Sequence, residues 1–261
     1  MVIASVHLRA ALVGVPGLGM LAAGCAAKFP AGGIVRMPVA CECSWAAEPV
    51  IVDGLLNDPA WRAAQPVRAF ATWKTGEFPI HRTRAWLLWD ARHLYVAFDA
   101  SDPDVRGVRD RHDSDTYRDD VLEVFLAPGP PGGSRYTFEI NPLGTVRDER
   151  HAAGAAYQAE WNCEGLRAAT KVLGTLNHPD DRDEGWRLEI AIPFASLAGT
   201  GGKAPEPGDG WRFHLARGDR SRGLPDGKEW STCAPLRGAS FHDSRHWIGL
   251  TFTAPEEAYR P

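Results

Sequence analysis

An all-β fold, an antiparallel β-sandwich with short helical turns, is predicted by three features of this sequence. Strand-like segments recur at short spacing from Cys41 to Phe252, with no linker or repeat dividing them. Within several of them apolar and polar residues alternate with the period of two that lines one face of a strand. Gly, Pro and Asp clusters punctuate the intervals.

In chain order the candidate strands are Val50–Val52, Arg82–Trp89, Leu94–Asp99, Val121–Leu126, Arg135–Asn141, Thr145–Arg150, Ala168–Gly174, Trp186–Ile192, Trp211–Arg217 and Trp247–Phe252. Trp186, Leu188, Ile190 and Ile192 share one face against Arg187 and Glu189. Tyr136, Phe138 and Ile140 share one face against Thr137, Glu139 and Asn141. The core is expected to draw on Trp86, Leu88, Val96, Phe98, Leu122, Val124, Leu188 and Ile190. Trp89–His93 reads as a tight hairpin turn and Pro128–Gly133 as a longer one. Two short helical pieces interrupt the strands. Asp58–Ala64 places an Asp at the N-cap and Pro at the first helical position, and Pro193–Leu197 is one turn.

The stretch Tyr117–Phe125 carries most of the functional signal. Leu122, Val124 and Leu126 fall on one face of its strand, and Val121, Glu123 and Phe125 on the other. A carboxylate within an apolar face is costly to bury unless something pairs with it, so Glu123 meets either a base or a polar ligand. Tyr117 sits where the chain enters the strand. An aromatic plate beside a carboxylate suits a sugar, whose C–H face stacks while its hydroxyls donate hydrogen bonds.

At 261 residues with 44% apolar content, the chain can bury one sizeable core. A net charge of −4 and a pI near 6.1 leave no basic footprint, which argues against a nucleic-acid partner. Residues 1–24 read as a processing segment, in which an apolar run from Ala10 is interrupted by Pro16. Its end, Leu21-Ala-Ala-Gly-Cys25, resembles the lipobox of bacterial lipoproteins, which implies lipidation at Cys25 and a membrane partner only through that anchor. Export to the bacterial envelope follows, lipid-anchored or periplasmic or secreted. A Gly/Pro/Ala tether over 25–43 then leads to a body over 44–253 and a tail over 254–261. An oxidising compartment would allow Cys41, Cys43, Cys163 and Cys233 to pair. Three connectivities and four free thiols all stay open.

Seven segments in order resemble the family 9 carbohydrate-binding modules. They are Pro49–Trp61, Leu88–Phe98, Asp119–Phe125 (Asp-Asp-Val-Leu-Glu-Val-Phe), Phe138–Gly144, Gly185–Pro193, Pro207–Phe213 and Trp247–Leu250. The resemblance implies a jelly-roll-like sandwich of the DOMON-like group and non-catalytic binding of a mono- or oligosaccharide, in support of carbohydrate catabolism. It places the two clamping aromatics on Tyr117 and Phe241, and the strand carboxylate on Glu123. The family's Arg-x-Asn pair falls on Glu139 and Asn141, and a later glutamine falls near Ala216, beside Arg217. An arginine is thus replaced by an acid, and the family's usual sugars are not carried over. No cofactor is required by this reading, although relatives hold structural calcium, for which Asp99, Asp102 and Asp104, or Asp180, Asp181 and Asp183, offer oxygen ligands.

Two other classes compete. Glu123 and Glu139 on neighbouring strands could act as a glycosidase pair, which needs carboxylates about 5–9 Å apart. Haem binding, known in some DOMON-like proteins, lacks a methionine ligand here, because Met1, Met20 and Met37 all precede the body.

Overall fold

The structure is a computed structural model that describes residues 33–129, 132–152, 157–158 and 161–255. It is nearly all-β, and the only helical pieces among the described residues are short 3-10 turns. The strands are β1 (Ala40–Trp45), β2 (Ala71–Thr72), β3 (Thr83–Trp89), β4 (His93–Ser101), β5 (Val121–Ala127), β6 (Arg135–Ile140) and β7 (Val146–His151). There follow β8 (Tyr157–Gln158), β9 (Arg167–Leu173), β10 (Gly185–Pro193), β11 (Gly210–Asp219), β12 (Glu229–Thr232) and β13 (Ile248–Thr253). One continuous ladder runs β8-β7-β6-β5-β11-β13-β1-β3-β4-β10-β9, and β12 joins β11 to β2 beside it.

The ladder brings both of its halves onto one core. Leu122, Val124 and Phe138 from β5 and β6 share a single buried cluster with Val96, Phe98, Leu188 and Ile190 from β4 and β10. The expected core thus forms from six of its eight residues. Trp86 and Leu88 do not join it. Register sets Leu87, not Leu88, opposite Val96, so Ala85, Leu87 and Trp89 point inward. Leu88 turns to the opposite face and forms a second cluster with Tyr95, Ala97, Ala191 and Trp61, and Trp86 packs against it, half-buried.

That second cluster exists because the 3-10 turn Pro59–Ala63 folds over the outside of β3, β4 and β10. Glu189 fastens it. Its fully buried carboxylate accepts from Trp61 Nε1 (2.8 Å) and from the backbone N–H groups of Asp53 (3.0 Å) and Gly54 (2.8 Å). Gly54 has φ +82°, and a Cβ there would lie 2.8 Å from the backbone of Thr170, so only glycine lets the strap lie this close. Asp58 does not cap the turn as the sequence suggests; its side chain accepts from Ile51 N–H instead (2.9 Å). Val50–Val52 belongs to this strap and forms no strand.

The antiparallel expectation holds for every strand pair but those of β1. This strand runs parallel to both β13 and β3, and it starts at Ala40, inside the segment read as tether. Cys43 and Trp45 explain why. Cys43 is fully buried, and Trp45 meets Trp89 edge-on at 4.8 Å, so this segment has its own period-two burial. Cys41, Cys43, Cys163 and Cys233 are all free thiols. Burial pushes the Cys163 thiol up to about 12, where it is protonated and inert at neutral pH.

Replacing Glu189 by alanine is expected to strand three donors and to lower unfolding free energy by about 1.5–3 kcal/mol in urea melts. Glu189→Gln, which still accepts hydrogen bonds, should recover part of that loss.

Candidate functional site

The site is a grid set by strand register. Across β11, β5, β6 and β7 one row reads Ala216, Glu123, Glu139, Arg147. The next row reads His214, Phe125, Thr137, Glu149, and the following row brings Arg135 opposite His151. All of these side chains project to the face opposite the core residues Leu122, Val124 and Phe138. Above them lies a cavity of about 820 Å³ lined by Glu123, Glu139, Arg147, Glu149 and His151. A small, fully buried residue, Ala216, flanks Glu123 on the β11 side.

Aromatic walls rise on two sides. On one, Phe241 sits among Trp73 (5.3 Å between centroids), Trp230 (5.4 Å) and Phe125 (6.2 Å), each edge to face. The loop bearing it is tied down by indole N–H groups, Trp73 Nε1 to Ala239 O (2.7 Å) and Trp247 Nε1 to Phe241 O (2.8 Å). Trp230 lies across β11 over Gly218, where any Cβ would come within 2.9 Å of the indole. On the other side Tyr117 rides a 3-10 turn, Thr116–Arg118, whose Thr116 Oγ donates to Glu139 (3.1 Å). Arg147 and Arg118 stack on the Tyr117 ring at 5.5 and 5.7 Å, and Arg220 donates to the Tyr117 carbonyl.

The electrostatics of the floor are unusual. Glu123 is 2% exposed and Glu139 7%, and they are directly opposed cross-strand neighbours. Burial, then the neighbouring Glu139 and Glu149, push Glu123 well above the ordinary carboxylate range. Burial likewise lifts Glu139 to about 7, against the pull of Arg147. Arg147 itself is drawn to Glu149 (2.6 Å) and Asp115 (3.3 Å). Glu149, His151 and His242 bring one ligand-type atom each within 4.8 Å of one another at the pocket wall, a mixed nitrogen and oxygen donor set.

Four of the six sequence-predicted contact residues, Tyr117, Glu123, Glu139 and Phe241, line this cavity. Asn141 and Arg217 do not. Asn141 is fully buried, and its amide is consumed by donors to Arg109 O (2.7 Å) and Asp119 (2.9 Å) and by acceptance from Leu143 N and Thr145 N. It shapes the β6–β7 turn. Arg217 stands opposite Leu122, one residue off the row of Glu123, so alternation turns it to the other face of β11. There it is 1% exposed and donates to Asp102 (2.9 Å) and Asp219 (2.8 Å). Burial works to raise Asp219, but Arg217 and a hydrogen bond from His81 outweigh it and hold this carboxyl below its usual range. Trp73, Trp230, Arg147 and the two histidines were missed by sequence reasoning.

The first three acids offered for calcium do not converge. Asp99 pairs with Arg84 and Arg187, Asp102 with Arg217, and Asp104 with Arg222. Each carboxylate already faces a different guanidinium, whose charge takes the place of a cation. Cys25 lies outside the described residues.

A recessed sheet face, floored by acids and walled by aromatics on separate loops, defines a ligand-binding β-domain. The chain belongs to the family described as carbohydrate family 9 binding domain-like, whose model matches residues 52–252. Among solved structures it is similar to a candidate carbohydrate-binding protein from Bacteroides uniformis, with a TM-score of 0.64 and 14% identity over 82% of this chain and 98% of that one. It is also similar to a family 9 carbohydrate-binding module from Caldicellulosiruptor kristjanssonii, solved with cellotriose and with glucose. The TM-score is 0.59 in both cases, at 15% identity over 85% of this chain and 97% or 100% of the other. No curated protein matches the chain.

Arg217→Ala would leave three buried carboxyls, Asp102, Asp120 and Asp219, clustered without their guanidinium. It is expected to cost about 3–5 kcal/mol of stability, read as a lowered urea midpoint.

Proposed function

We propose that this protein binds a mono- or oligosaccharide in the cavity over β5, β6 and β7 without cleaving it, as an exported protein of the bacterial envelope. The observation that carries the reading is the gathering of Tyr117, Trp73, Phe241 and Trp230 around one cavity with Glu123 and Glu139. Aromatic faces cover the C–H surfaces of a sugar ring, and carboxylates accept from its hydroxyls. An 820 Å³ cavity is large enough for more than one ring. The jelly-roll-like sandwich of the DOMON-like group is the arrangement we infer for the ladder, since both of its halves feed one core. The Leu21–Cys25 segment supports lipid anchoring, with a role in carbohydrate catabolism at the cell surface or in the periplasm.

Calorimetry with glucose and cellotriose tests the binding, and chromatography of the recovered cellotriose tests for cleavage. Saturable binding with intact sugar is expected. Glu123→Ala should weaken affinity by about tenfold to a hundredfold. It should leave the melting temperature unchanged or raised, because it removes a buried carboxylate that no described residue hydrogen-bonds. A variant that unfolds, or that binds as well as the parent, makes the glutamate structural and moves the ligand elsewhere.

Lipid anchoring has its own test. Cys25→Ala is expected to shift the protein from the membrane fraction to the soluble envelope or secreted fraction. Cytosolic fractionation of both forms would remove the export reading.

A further inference from the structure

The floor of the cavity gathers more carboxyl groups than neutral sugar hydroxyls need. Three carboxylates, Glu123, Glu139 and Glu149, face it against a single lining guanidinium, that of Arg147. Arg147 is committed to Glu149 through both Nε (2.8 Å) and Nη2 (2.6 Å). Arg220, the other nearby cation, donates to the Tyr117 carbonyl and lays its plane 5.3 Å from the Trp230 ring centroid. Glu139 accepts one hydrogen bond, from Thr116 Oγ (3.1 Å). Glu123, 98% buried, accepts none from any described residue, although it lines the cavity beside Ala216. A buried, opposed acid pair that lacks a cation is a receptor for one.

We propose that this site selects sugars carrying a free amino group, with the ammonium seated between Glu123 and Glu139 and the ring held between Tyr117 and the Phe241 wall. The proposal rests on the carbohydrate reading above and names its ligand class. A bare cation would leave the aromatic walls unused, and a neutral sugar would leave the acid pair to hold a proton of its own. An aminated ring uses both. Burial and like charge push both carboxyls up, and a positive group seated between them would reverse that shift. Charge-assisted bonds to an ammonium exceed those to a hydroxyl by enough to give roughly a tenfold preference.

The test is calorimetry on the full chain with three trisaccharides: the β-1,4-linked glucosamine trimer, its fully N-acetylated form, and cellotriose. The amine trimer is expected to bind at single-site stoichiometry and roughly tenfold tighter than either neutral trimer. Glu123→Gln should weaken the amine trimer by roughly tenfold more than it weakens cellotriose. Glu139→Gln should do the same, and it stands in should the first variant fail to fold. Cellotriose or the acetylated trimer binding as tightly as the amine overturns the proposal while leaving carbohydrate binding intact. An amine preference that survives in both variants also overturns it, assigning the preference to the acidic surface at large. Absence of binding by all three trimers removes this proposal and the carbohydrate reading together.

Discussion

Strand β5 is buried on both faces, and the two faces are asked to do opposite things. A strand presents alternate residues to opposite sides. Leu122, Val124 and Leu126 therefore enter the core shared by both halves of the ladder, while Glu123 on the other face lines the cavity beside the buried Phe125 ring. Everything at the site takes its position from this strand. β6 sets Glu139 directly beside Glu123, β7 sets Arg147 beside Glu139, and β11 supplies Ala216 on the other flank. A one-residue slip of β5 would put the carboxylate into the core and a leucine under the ligand.

The same alternation separates two kinds of buried charge. On the core-facing side of β11, Arg217 is matched to Asp102 and Asp219, and Ser221 donates to both acids. Asp120 lies in the same cluster, lifted by burial and by its two acid neighbours, and its oxygens accept from the backbone N–H groups of Arg106 and Arg220, so the cluster's chemistry is spent on holding loops together. On the cavity side Glu123 is equally buried but has a like-charged neighbour and no donor among the described residues. The Arg217 cluster is thus supplied with donors from within the fold, whereas the Glu123 carboxyl opens on the cavity. Distance along the sequence does not distinguish the two cases, because Ala216 and Arg217 are adjacent.

Much of the fold was legible because its strands obey a strict period. Nine of the ten candidate strands formed within a residue or two of their expected ends. The failure at Val50–Val52 and the misplacement of Trp86 and Leu88 have one cause. A strap held by Glu189 buries the outside of β3, β4 and β10, so both faces there are apolar and alternation no longer marks the core. At the site, Tyr117, Glu123, Glu139 and Phe241 were legible through the resemblance and the odd carboxylate in an apolar strand. Trp73 and Trp230 were not, because they flank or occupy β2 and β12, strands of two and four residues with no periodic signal of their own. Asn141 and Arg217 were misread for the converse reason. Polar residues at the end of a strand or one position off a row look like ligand contacts until the backbone groups and acids that claim them are seen.

The two walls differ in how they are held, and this bears on what the site discriminates. The Phe241 wall is locked by indole hydrogen bonds, mutual edge-to-face packing and the close seat of Trp230 on Gly218. The Tyr117 wall hangs on a short turn, through stacked guanidinium groups and one carbonyl contact to Arg220. Stacking on a ring's C–H face depends little on which hydroxyls are present. A rigid plate opposite a less constrained one therefore sets the thickness of the ligand rather than its identity. On the proposed reading, identity falls to the polar floor, where strand register sets Glu123 and Glu139 side by side. On that same reading, the aromatic pair would hold a sugar ring and the acid pair would decide which sugar stays.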